Sequence, residues 1–546
     1  MYQTNFNPED DRFGTAGFAS GNDVRRADLR DPSGVPVGFK DGSLLKLGGD
    51  ALLITVGGAG SGKLRDLLSY ALCMGPSSPM IVLDPRGELA AISIHTLAPR
   101  GVYGYCWNPL GMHHPVLPQH ACNPLDILKP DSPHFHSDCD FISEGLIPLS
   151  GGGNGKYFEL RAREWLSSFM KAGVEYRGRI NLPDLYEVIG VIETDPNAWA
   201  DELEKMLASR FPDVRRNAGE MLAKQQDSPK EFSGILGEIY AHLSFLNDPH
   251  LRAALSGDGR DCFSLEALTN PTRRSRVHLN VPAEYLSVWS PVIRLFFTVT
   301  MLYKARCPER ERILLLVDEA GQLGRFEALL RAFTYGRGAG VRAWAIFQDV
   351  GQITRNFGAS ALQGFLGSAQ LRQFMGVRDF ETAKLVSSML GTQTLSYDDD
   401  LAQGRAQKNR RNSIRKALME DADPFEFSFD RAQFGREEVH RTKQARALLT
   451  PDEILSLPED KQILFVSGKN IKPILADKYP YYARREMAGF YLPNPYHPPQ
   501  DSVTIRTSFG SSKRAVRSGP IPENLRHFPQ YQHGMMYWID GFSLAS

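Results

Sequence analysis

The residues with the clearest chemistry form a glycine-rich stretch between an apolar strand and a helix. The stretch begins at Gly57 and, after four residues, reaches Gly62 and Lys63. Backbone N–H groups can surround a β-phosphate only where Cβ atoms are missing, and the lysine adds a full charge at the β- and γ-phosphates. The positive end of the following helix adds to this attraction, so we predict a nucleoside triphosphate as the ligand. The predicted binding residues are Gly57, Gly58, Ala59, Gly60, Ser61, Gly62, Lys63 and Leu64.

Leu64 departs from this pattern, because a serine or threonine normally follows the lysine and places its hydroxyl on Mg²⁺. Three interpretations stay open for this position. Water takes the coordination site, another side chain takes it, or the site binds nucleotide without efficient turnover.

Two adjacent carboxylates, Asp318 and Glu319, follow a second apolar strand far downstream in the segment RILLLVDE. Five apolar residues in a row are typical of a buried strand in a parallel sheet, and ligands bind at the carboxyl ends of such strands. In this position Asp318 is predicted to hold Mg²⁺ through water, and Glu319 to polarise the attacking water. A strand that ends in a solvated acidic turn is the plainer interpretation, but its combination with the glycine loop favours the catalytic one.

Length and composition set the frame for this site. A chain of 546 residues with 42% hydrophobic and 23% charged residues is typical of a soluble protein of two or more domains. The formal net charge of zero excludes a global basic field, so any contact with nucleic acid must come from local patches. Six scattered cysteines and a polar N-terminus predict a reducing, cytoplasmic location without a signal peptide. The longest apolar run, from Pro291 to Tyr303, is too short for a membrane span and is predicted to be a buried helix.

The order of strand and helix signals predicts an α/β fold with an all-helical insertion. Residues 156–256 show only helical periodicity, while strand signals precede and follow them. We therefore predict a nucleotide-binding domain over residues 46–155 and 257–490, and an all-alpha inserted domain between its two parts. Residues 1–45 form an N-terminal segment ahead of the first strand. Residues 491–546, which contain many proline, serine and arginine residues, are expected to form a loose tail.

Two further stretches have two interpretations each. The segment SGGGNGKY from Ser150 is either a second phosphate loop or a flexible hinge into the helical insertion; the missing first glycine favours the hinge. The basic run between Arg405 and Lys416 is either a solvated loop or a contact for a phosphate backbone, and the first is the more common.

The sequence resembles the type IV coupling proteins, the TraG/TraD-type ATPases of conjugation and type IV secretion. The similarity runs from FGTAGFAS near Phe13 to about Tyr482, and its most specific parts are VDEAGQLGR, YGRGAG and FQDVGQ. The resemblance implies a RecA-like P-loop domain with an all-alpha insertion, ATP and Mg²⁺ as ligands, and assembly into a ring of six. It also implies that Lys63 binds phosphate, Asp318 is the metal-linked acid and Glu319 the catalytic acid. By the same resemblance, Arg337 matches the arginine finger and Gln348 the γ-phosphate sensor.

Members of this family usually carry two N-terminal membrane helices ahead of the region that this chain covers. Either the chain is a membrane-free member that docks on a separate membrane partner, or its start is a truncation, and the sequence leaves both open. In the first case, we expect a cytoplasmic protein that is peripheral at the inner membrane through that partner.

For function, the resemblance implies an ATP-driven protein that delivers single-stranded DNA with its relaxase, or protein effectors, to a type IV secretion channel. Two alternatives stay open. The first is a low-turnover nucleotide-binding adaptor that uses the helical domain as a docking platform for substrates. The second is a double-stranded DNA translocase of the FtsK/HerA type.

Overall fold

The structure is a computed structural model that describes residues 12–149, 155–257, 261–398 and 441–542, together with scattered positions between 405 and 415. Most of the glycine stretch that begins at Ser150, and most of the basic run, lie outside the described residues. The chain divides into two compact units, which are described separately. The smaller consists of Met1–Ser20, Arg378–Leu457 and Lys472–Ile474, and the larger of Gly21–Val377, Pro458–Ile471 and Leu475–Ser546.

A mixed sheet of eleven strands forms the centre of the larger unit. Its strands lie in the order β2-β1-β13-β12-β9-β3-β8-β7-β4-β6-β5, with ranges given below, and neighbours from β9 to β5 are parallel. The strands of the chain are β1 (Val35–Lys40), β2 (Ser43–Leu47), β3 (Leu53–Gly57), β4 (Met80–Pro85), β5 (Val102–Trp107), β6 (Arg274–Val281), β7 (Ile313–Val317), β8 (Val341–Phe347), β9 (Leu371–Met375), β10 (Thr392–Asp398), β11 (Arg441–Ala447), β12 (Lys461–Val466), β13 (Ile474–Asp477), β14 (Ser502–Thr507), β15 (Gly510–Pro520) and β16 (Met535–Ile539).

The central strands are short and apolar, as the sequence predicts for strands that are buried on both faces. All residues of β3, β7 and β8 are buried. Since β3 pairs with β8, and β8 with β7, the segments that follow these three strands emerge side by side at one edge of the sheet. This edge carries the candidate site.

The helices connect the strands and form a large block between β5 and β6. They are α1 (Gly21–Arg26), α2 (Ser69–Cys73), α3 (Glu88–Ser93), α4 (Phe135–Leu146), α5 (Gly155–Arg177), α6 (Leu182–Thr194), α7 (Pro196–Leu207), α8 (Pro212–Asp227), α9 (Pro229–Leu243), α10 (Pro249–Ser256), α11 (Ser290–Arg306), α12 (Glu327–Tyr335), α13 (Val350–Phe357), α14 (Ala359–Ser368), α15 (Phe380–Leu390) and α16 (Pro451–Leu455). Among the described helices, none combines the length and the apolar composition that a bilayer crossing requires.

The block from α5 to α10 is helical because its helix starts are strongly marked. Four successive helices, α7 to α10, begin with proline, whose fixed φ suits the first helical turn and whose missing N–H costs nothing there. Asp195 and Asp248 cap two of them by accepting hydrogen bonds from backbone N–H groups of the first turn. The block belongs to the same compact unit as the sheet, so its assignment as a separate domain remains a prediction.

The C-terminal segment differs from the loose tail that its composition led us to expect. Strands β14, β15 and β16 form an antiparallel sheet. Val503 and Ile505 alternate with exposed residues along β14, so one face of this strand is buried with Tyr491 in an apolar cluster that also contains Tyr70 and Ile92. Proline, serine and arginine dominate the exposed positions, whereas burial of the apolar residues between them orders the segment.

The smaller unit contains the antiparallel pair β10 and β11, in which Thr392 lies opposite Ala447. Helix α16 begins with a capping box, since Thr450 and Glu453 exchange side-chain hydrogen bonds with each other's backbone. The Ser387 hydroxyl, on α15, donates to the Leu449 carbonyl and links α15 to the segment just before α16.

Candidate active site

The segments that follow β3, β7 and β8 line one cavity of about 1130 Å³ at the carboxyl edge of the parallel strands. The glycine loop follows β3, the carboxylates Asp318 and Glu319 follow β7, and Gln348 follows β8. Residues from Ala59 to Leu64 of the loop, together with these three side chains, contribute to the lining. Three segments that are far apart in sequence therefore meet around one space.

Two glycines of the loop cannot be replaced by a residue with a Cβ atom without a steric clash. Gly62 has a φ of +83°, and a Cβ atom on it would lie 2.2 Å from Oδ2 of Asp66. A Cβ atom on Gly57 would lie 2.9 Å from Oγ of Ser61 and from Cγ of Met375. Glycine is therefore required where the chain turns from β3 into the helical turns that begin at Lys63.

Lys63 places its ammonium group at the centre of the site. Its Nζ atom lies 3.1 Å from Oε1 of Glu319 and donates to the Gly57 carbonyl at 3.2 Å. The two charged side chains are only 11% and 21% exposed, so their interaction is weakly screened by solvent. A phosphate at the loop competes with Glu319 for this charge.

Glu319 is held from two sides. Its Oε2 atom accepts a hydrogen bond of 2.8 Å from Nε2 of Gln348, while Oε1 faces Lys63. Its backbone has a φ of +52°. This value lies in the left-handed region, which residues other than glycine, asparagine and aspartate rarely adopt. Such a conformation persists only where the surroundings fix it, and it aims this carboxylate at the lysine.

Asp318 is buried beside Glu319, with 8% of its surface exposed, and its Oδ1 atom accepts a hydrogen bond from the Glu319 backbone. Burial and the neighbouring Glu319 charge raise the pKa of Asp318 to about 7, against the lowering effect of Lys63. The positive charge of Lys63 is therefore too small to offset burial and the charge of Glu319 at this carboxylate. A cation at this point would stabilise its ionised form.

A further carboxylate, Asp84 at the end of β4, was missed as a site residue in the sequence, although it follows an apolar strand in the same way as Asp318. It is fully buried and accepts hydrogen bonds from the backbone N–H groups of Leu89 and Ala90 and from the Asn280 side chain. Burial raises the pKa of Asp84 to about 8. Its hydrogen bonds fix the turn that brings Arg86 and Glu88 to the cavity wall.

Leu64 lines the cavity with a half-buried side chain. Its carbonyl accepts a hydrogen bond of 2.6 Å from the Ser69 hydroxyl, so the backbone of this turn is engaged within the helix. The structure therefore puts an isobutyl group at the mouth of the site, at the position where the usual motif has a hydroxyl.

Arg337 lies elsewhere. Its Nε atom donates to Oδ2 of Asp50, the residue that precedes the β3 segment, and its side chain is 66% exposed. Arg312, just before β7, also faces Asp50 and donates to the Arg337 carbonyl at 2.9 Å. The structure thus brings together Lys63, Asp318, Glu319 and Gln348, but it places Arg337 at the opposite, amino edge of the same strands.

The chemistry of the loop fits a triphosphate with Mg²⁺. The Ser61 hydroxyl is buried in the loop and has no hydrogen-bond partner among the described residues, so it is available to a ligand oxygen. Lys63 supplies a positive charge for phosphate, and Asp318 supplies a buried carboxylate for a cation. These three groups offer the donor, the charge and the anion that such a ligand needs.

Sequence comparison gives one family match over most of the chain. The model of the family described as Type IV secretory system Conjugative DNA transfer matches residues 11–423 and 425–505. Among curated proteins, the protein VirD4 of Agrobacterium fabrum is 25% identical over 417 residues, which are 76% of this chain and 56% of that protein. The type IV secretion system-coupling protein VirD4 of Bartonella quintana is 22% identical over 453 residues, 81% of this chain and 64% of that protein. The chain therefore spans between half and two thirds of the length of these relatives.

Comparison with solved structures finds the same fold. The plasmid coupling protein TrwB in complex with ADP and Mg2+ aligns with a TM-score of 0.58 at 17% identity, covering 85% of this chain and 93% of that one. A trigonal form of the conjugative coupling protein TrwB, lacking its first residues and in complex with sulphate, aligns with a TM-score of 0.60 at 16% identity, covering 86% and 95%. The predicted α/β fold, a RecA-like P-loop domain with added helices, is confirmed.

Proposed function

We propose, from the premise that this chain belongs to the type IV secretory system family of conjugative DNA transfer, that it is an ATP-hydrolysing coupling protein of such a system. The observation that carries the proposal is the contact of Glu319 with both Lys63 and Gln348 at the glycine loop. This contact places a phosphate-binding cation, a general base and a polar sensor around one cavity.

The chemical step is attack of water on the γ-phosphorus with breakage of the bond to the β-phosphate oxygen. Lys63 leaves Oε1 of Glu319 for the β- and γ-phosphates, which frees that oxygen to accept a proton from the attacking water. Gln348 keeps Glu319 in place through Oε2 and reaches the γ-phosphate from the neighbouring strand. The Gln348–Glu319 contact is in place before the ligand arrives, and such preorganisation is a large part of catalysis in this class of reaction.

Mg²⁺, when bound, neutralises charge on the phosphate oxygens, and Asp318 is the residue that would hold it through water. Leu64 offers it no ligand. Besides Lys63 and Gln348, the Ser61 hydroxyl and the loop backbone are available to orient the phosphates.

Assembly into a ring of six places each nucleotide between neighbouring subunits, and in this arrangement Arg337 acts on the nucleotide of the adjacent subunit. Its exposure, and its position at the amino edge away from Glu319 of the same chain, support this role. For the reaction, an arginine supplied from a neighbour stabilises charge on the γ-phosphate in the transition state.

As cargo, we propose single-stranded DNA with its relaxase, or protein effectors, delivered to the components of a type IV secretion channel. The relatives that carry the names of coupling and conjugal transfer proteins support this assignment. The proposed site of action is the cytoplasmic side of the inner membrane.

Leu64 favours a second candidate, a nucleotide-binding adaptor with little hydrolysis. Measurement of phosphate release from ATP and Mg²⁺ by the full chain, with and without single-stranded DNA, separates the two. We expect turnover that DNA stimulates and that Glu319→Gln lowers by ~10²-fold or more, because a general base contributes about that much. Glu204→Gln, at an exposed position of α7, is the control. Nucleotide binding without turnover in any condition favours the adaptor, and unchanged turnover in Glu319→Gln contradicts the assigned base.

A further inference from the structure

The wall of the cavity that faces the glycine loop comes from the C-terminal part of the chain. Tyr481, Tyr482, Tyr491, Pro493 and Thr504 lie along it, opposite the residues from Ala59 to Arg65. The roles assigned to the glycine loop and to the acidic residues at the ends of β4 and β7 do not explain why the cavity has this wall.

The phosphate end of the cavity is fixed by Lys63 and Glu319, which leaves the other end for the rest of the ligand. From Lys63 the loop side continues through Leu64 to Arg65, whose guanidinium is turned onto Asp66. The turn Tyr481–Ala483 packs against the helical turns Lys63–Leu68, and both Arg65 and Tyr482 line the cavity. The ribose and base of a nucleotide whose phosphates lie at Lys63 therefore extend toward Tyr482.

This wall is firmly built. The Asn494 amide donates to Oε2 of Glu88 at 2.6 Å, which ties the segment to the start of α3. The Tyr491 hydroxyl donates to the Thr504 carbonyl at 2.8 Å, and Tyr70, in α2, donates to the carbonyl of Pro480 at 3.2 Å. These contacts hold the wall against the helices that follow the phosphate loop and the strand β4.

Tyr482 stands out on this frame. Its neighbour Tyr481 is buried and touches the Tyr482 ring edge-on, with the ring centroids 5.3 Å apart. Tyr482 itself is 46% exposed and borders the cavity. A half-exposed aromatic ring on a fixed support is the arrangement that stacks on a nucleobase, since the ring keeps its position and only one face has to be desolvated.

We propose that the C-terminal segment forms the nucleoside subsite of this cavity and that the Tyr482 ring stacks on the purine base; this rests on the proposed nucleotide-binding function. The side chains of Asn494 and Tyr491 are engaged inside the protein, because Asn494 donates to Glu88 and accepts a hydrogen bond from the Tyr496 backbone, and Tyr491 donates to Thr504. Stacking does not depend on the edge of the base. The subsite therefore accepts adenine and guanine nucleotides with similar affinity.

The test compares a nucleotide with a ligand that has phosphates and no base. Dissociation constants for ADP, GDP and inorganic tripolyphosphate are measured by calorimetry on the full chain and on Tyr482→Ala, Tyr482→Phe and Tyr176→Ala. Tyr176 is a half-exposed tyrosine of α5 and serves as the matched control. We expect Tyr482→Ala to weaken ADP and GDP about tenfold or more, in line with the loss of one stacked base, and to leave tripolyphosphate unchanged. Tyr482→Phe and Tyr176→Ala retain wild-type affinities.

Equal ADP affinity in Tyr482→Ala and wild type overturns the subsite while leaving the nucleotide function intact. Equal weakening of ADP and tripolyphosphate also overturns it, because the effect then does not involve the base. A strong preference of the wild type for one purine contradicts the stacking-only recognition. If the wild type binds neither ADP nor tripolyphosphate, the proposed function fails, and the subsite fails with it.

Discussion

Arg337 and Asp50 form an ion pair, with Nε and Oδ2 2.6 Å apart, at the edge of the sheet opposite the candidate active site. Strand β8 runs from the turn that carries Arg337 to Gln348, and its seven residues span about 20 Å at the rise of an extended strand. Ion pairs between exposed side chains are weak, because solvent screens their charges. Asp50 therefore holds Arg337 too weakly to prevent it from moving to a phosphate group of a neighbouring subunit.

If Arg337 acts on the neighbour, a mixture of two inactive variants regains activity. Protein with Arg337→Ala is combined with protein with Glu319→Gln, each of which we expect to be nearly inactive, because an arginine finger contributes ~10³-fold or more. Some interfaces of a mixed ring join an intact Glu319 to an intact Arg337. ATP turnover of the mixture should exceed that of either variant alone.

The control mixture contains two proteins. The first carries both Arg337→Ala and Glu319→Gln in one chain, and the second is inactive because it carries Lys63→Ala. Ring formation in every mixture is verified by light scattering. Mixed rings that recover no turnover, or full activity of Arg337→Ala by itself, would show that Arg337 has no role across the interface.

Lys63→Ala should lower ATP binding or turnover by ~10²-fold or more, because the variant removes the cation that the phosphates need and leaves Glu319 without its partner. Lys205→Ala removes a half-exposed lysine on α7 and is the matched control. Binding is measured by calorimetry and turnover by phosphate release. Wild-type turnover in Lys63→Ala is incompatible with the site described above.

Leu64→Thr tests the position without a hydroxyl. If that hydroxyl is what limits Mg²⁺ binding, the variant lowers the Mg²⁺ concentration needed for half-maximal turnover. Leu64→Val has the shape of the threonine without the oxygen and should leave this concentration unchanged. An equal change in both variants would point to packing at the mouth of the site, and no change in either would mean that water and Asp318 already compensate.

Asp318 gives a prediction for pH in protein freed of nucleotide and metal with a chelator. Its pKa is about 7 in the folded chain and ordinary in the unfolded one, so between about pH 4 and 7 the folded state holds a proton that the unfolded state has lost. The Asp318 contribution to the free energy of unfolding therefore falls as the pH rises through this range. Asp318→Asn should raise the melting temperature above that of wild type at pH 8, and the difference should shrink toward pH 4. A difference that is independent of pH would contradict this account.

Much of the active edge could be predicted because parallel strands end at a common edge. Once LITVG and ILLLV are recognised as buried strands, the residues that follow them must lie close together, and the structure places Lys63 3.1 Å from Glu319. Gln348 and Arg337 carry no such signal of their own and were assigned through the family resemblance. The apolar run VRAWAIF between them predicts a strand, and the structure sets them near opposite ends of that strand, β8.

The order of residues 491–546 could not be predicted from composition, because polar residues and prolines separate their apolar residues. The alternation in SVTIRT, where Val503 and Ile505 are buried, was the available signal for β14. What orders the segment is its contact with distant residues, such as the hydrogen bond from Asn494 to Glu88, more than four hundred positions away in sequence. Pairings over such distances depend on the tertiary fold and leave no local pattern.

The left-handed backbone of Glu319 places its carboxylate for turnover at a cost in folding stability. Holding a glutamate at a φ of +52° costs about 1 kcal/mol or more, a cost from which glycine is exempt. Glu319→Gly removes this cost together with hydrolysis, and its melting temperature measures the strain against the lost contacts with Lys63 and Gln348. In the proposed ring, a subunit of this kind that still binds nucleotide would block the neighbours whose catalytic residues are intact.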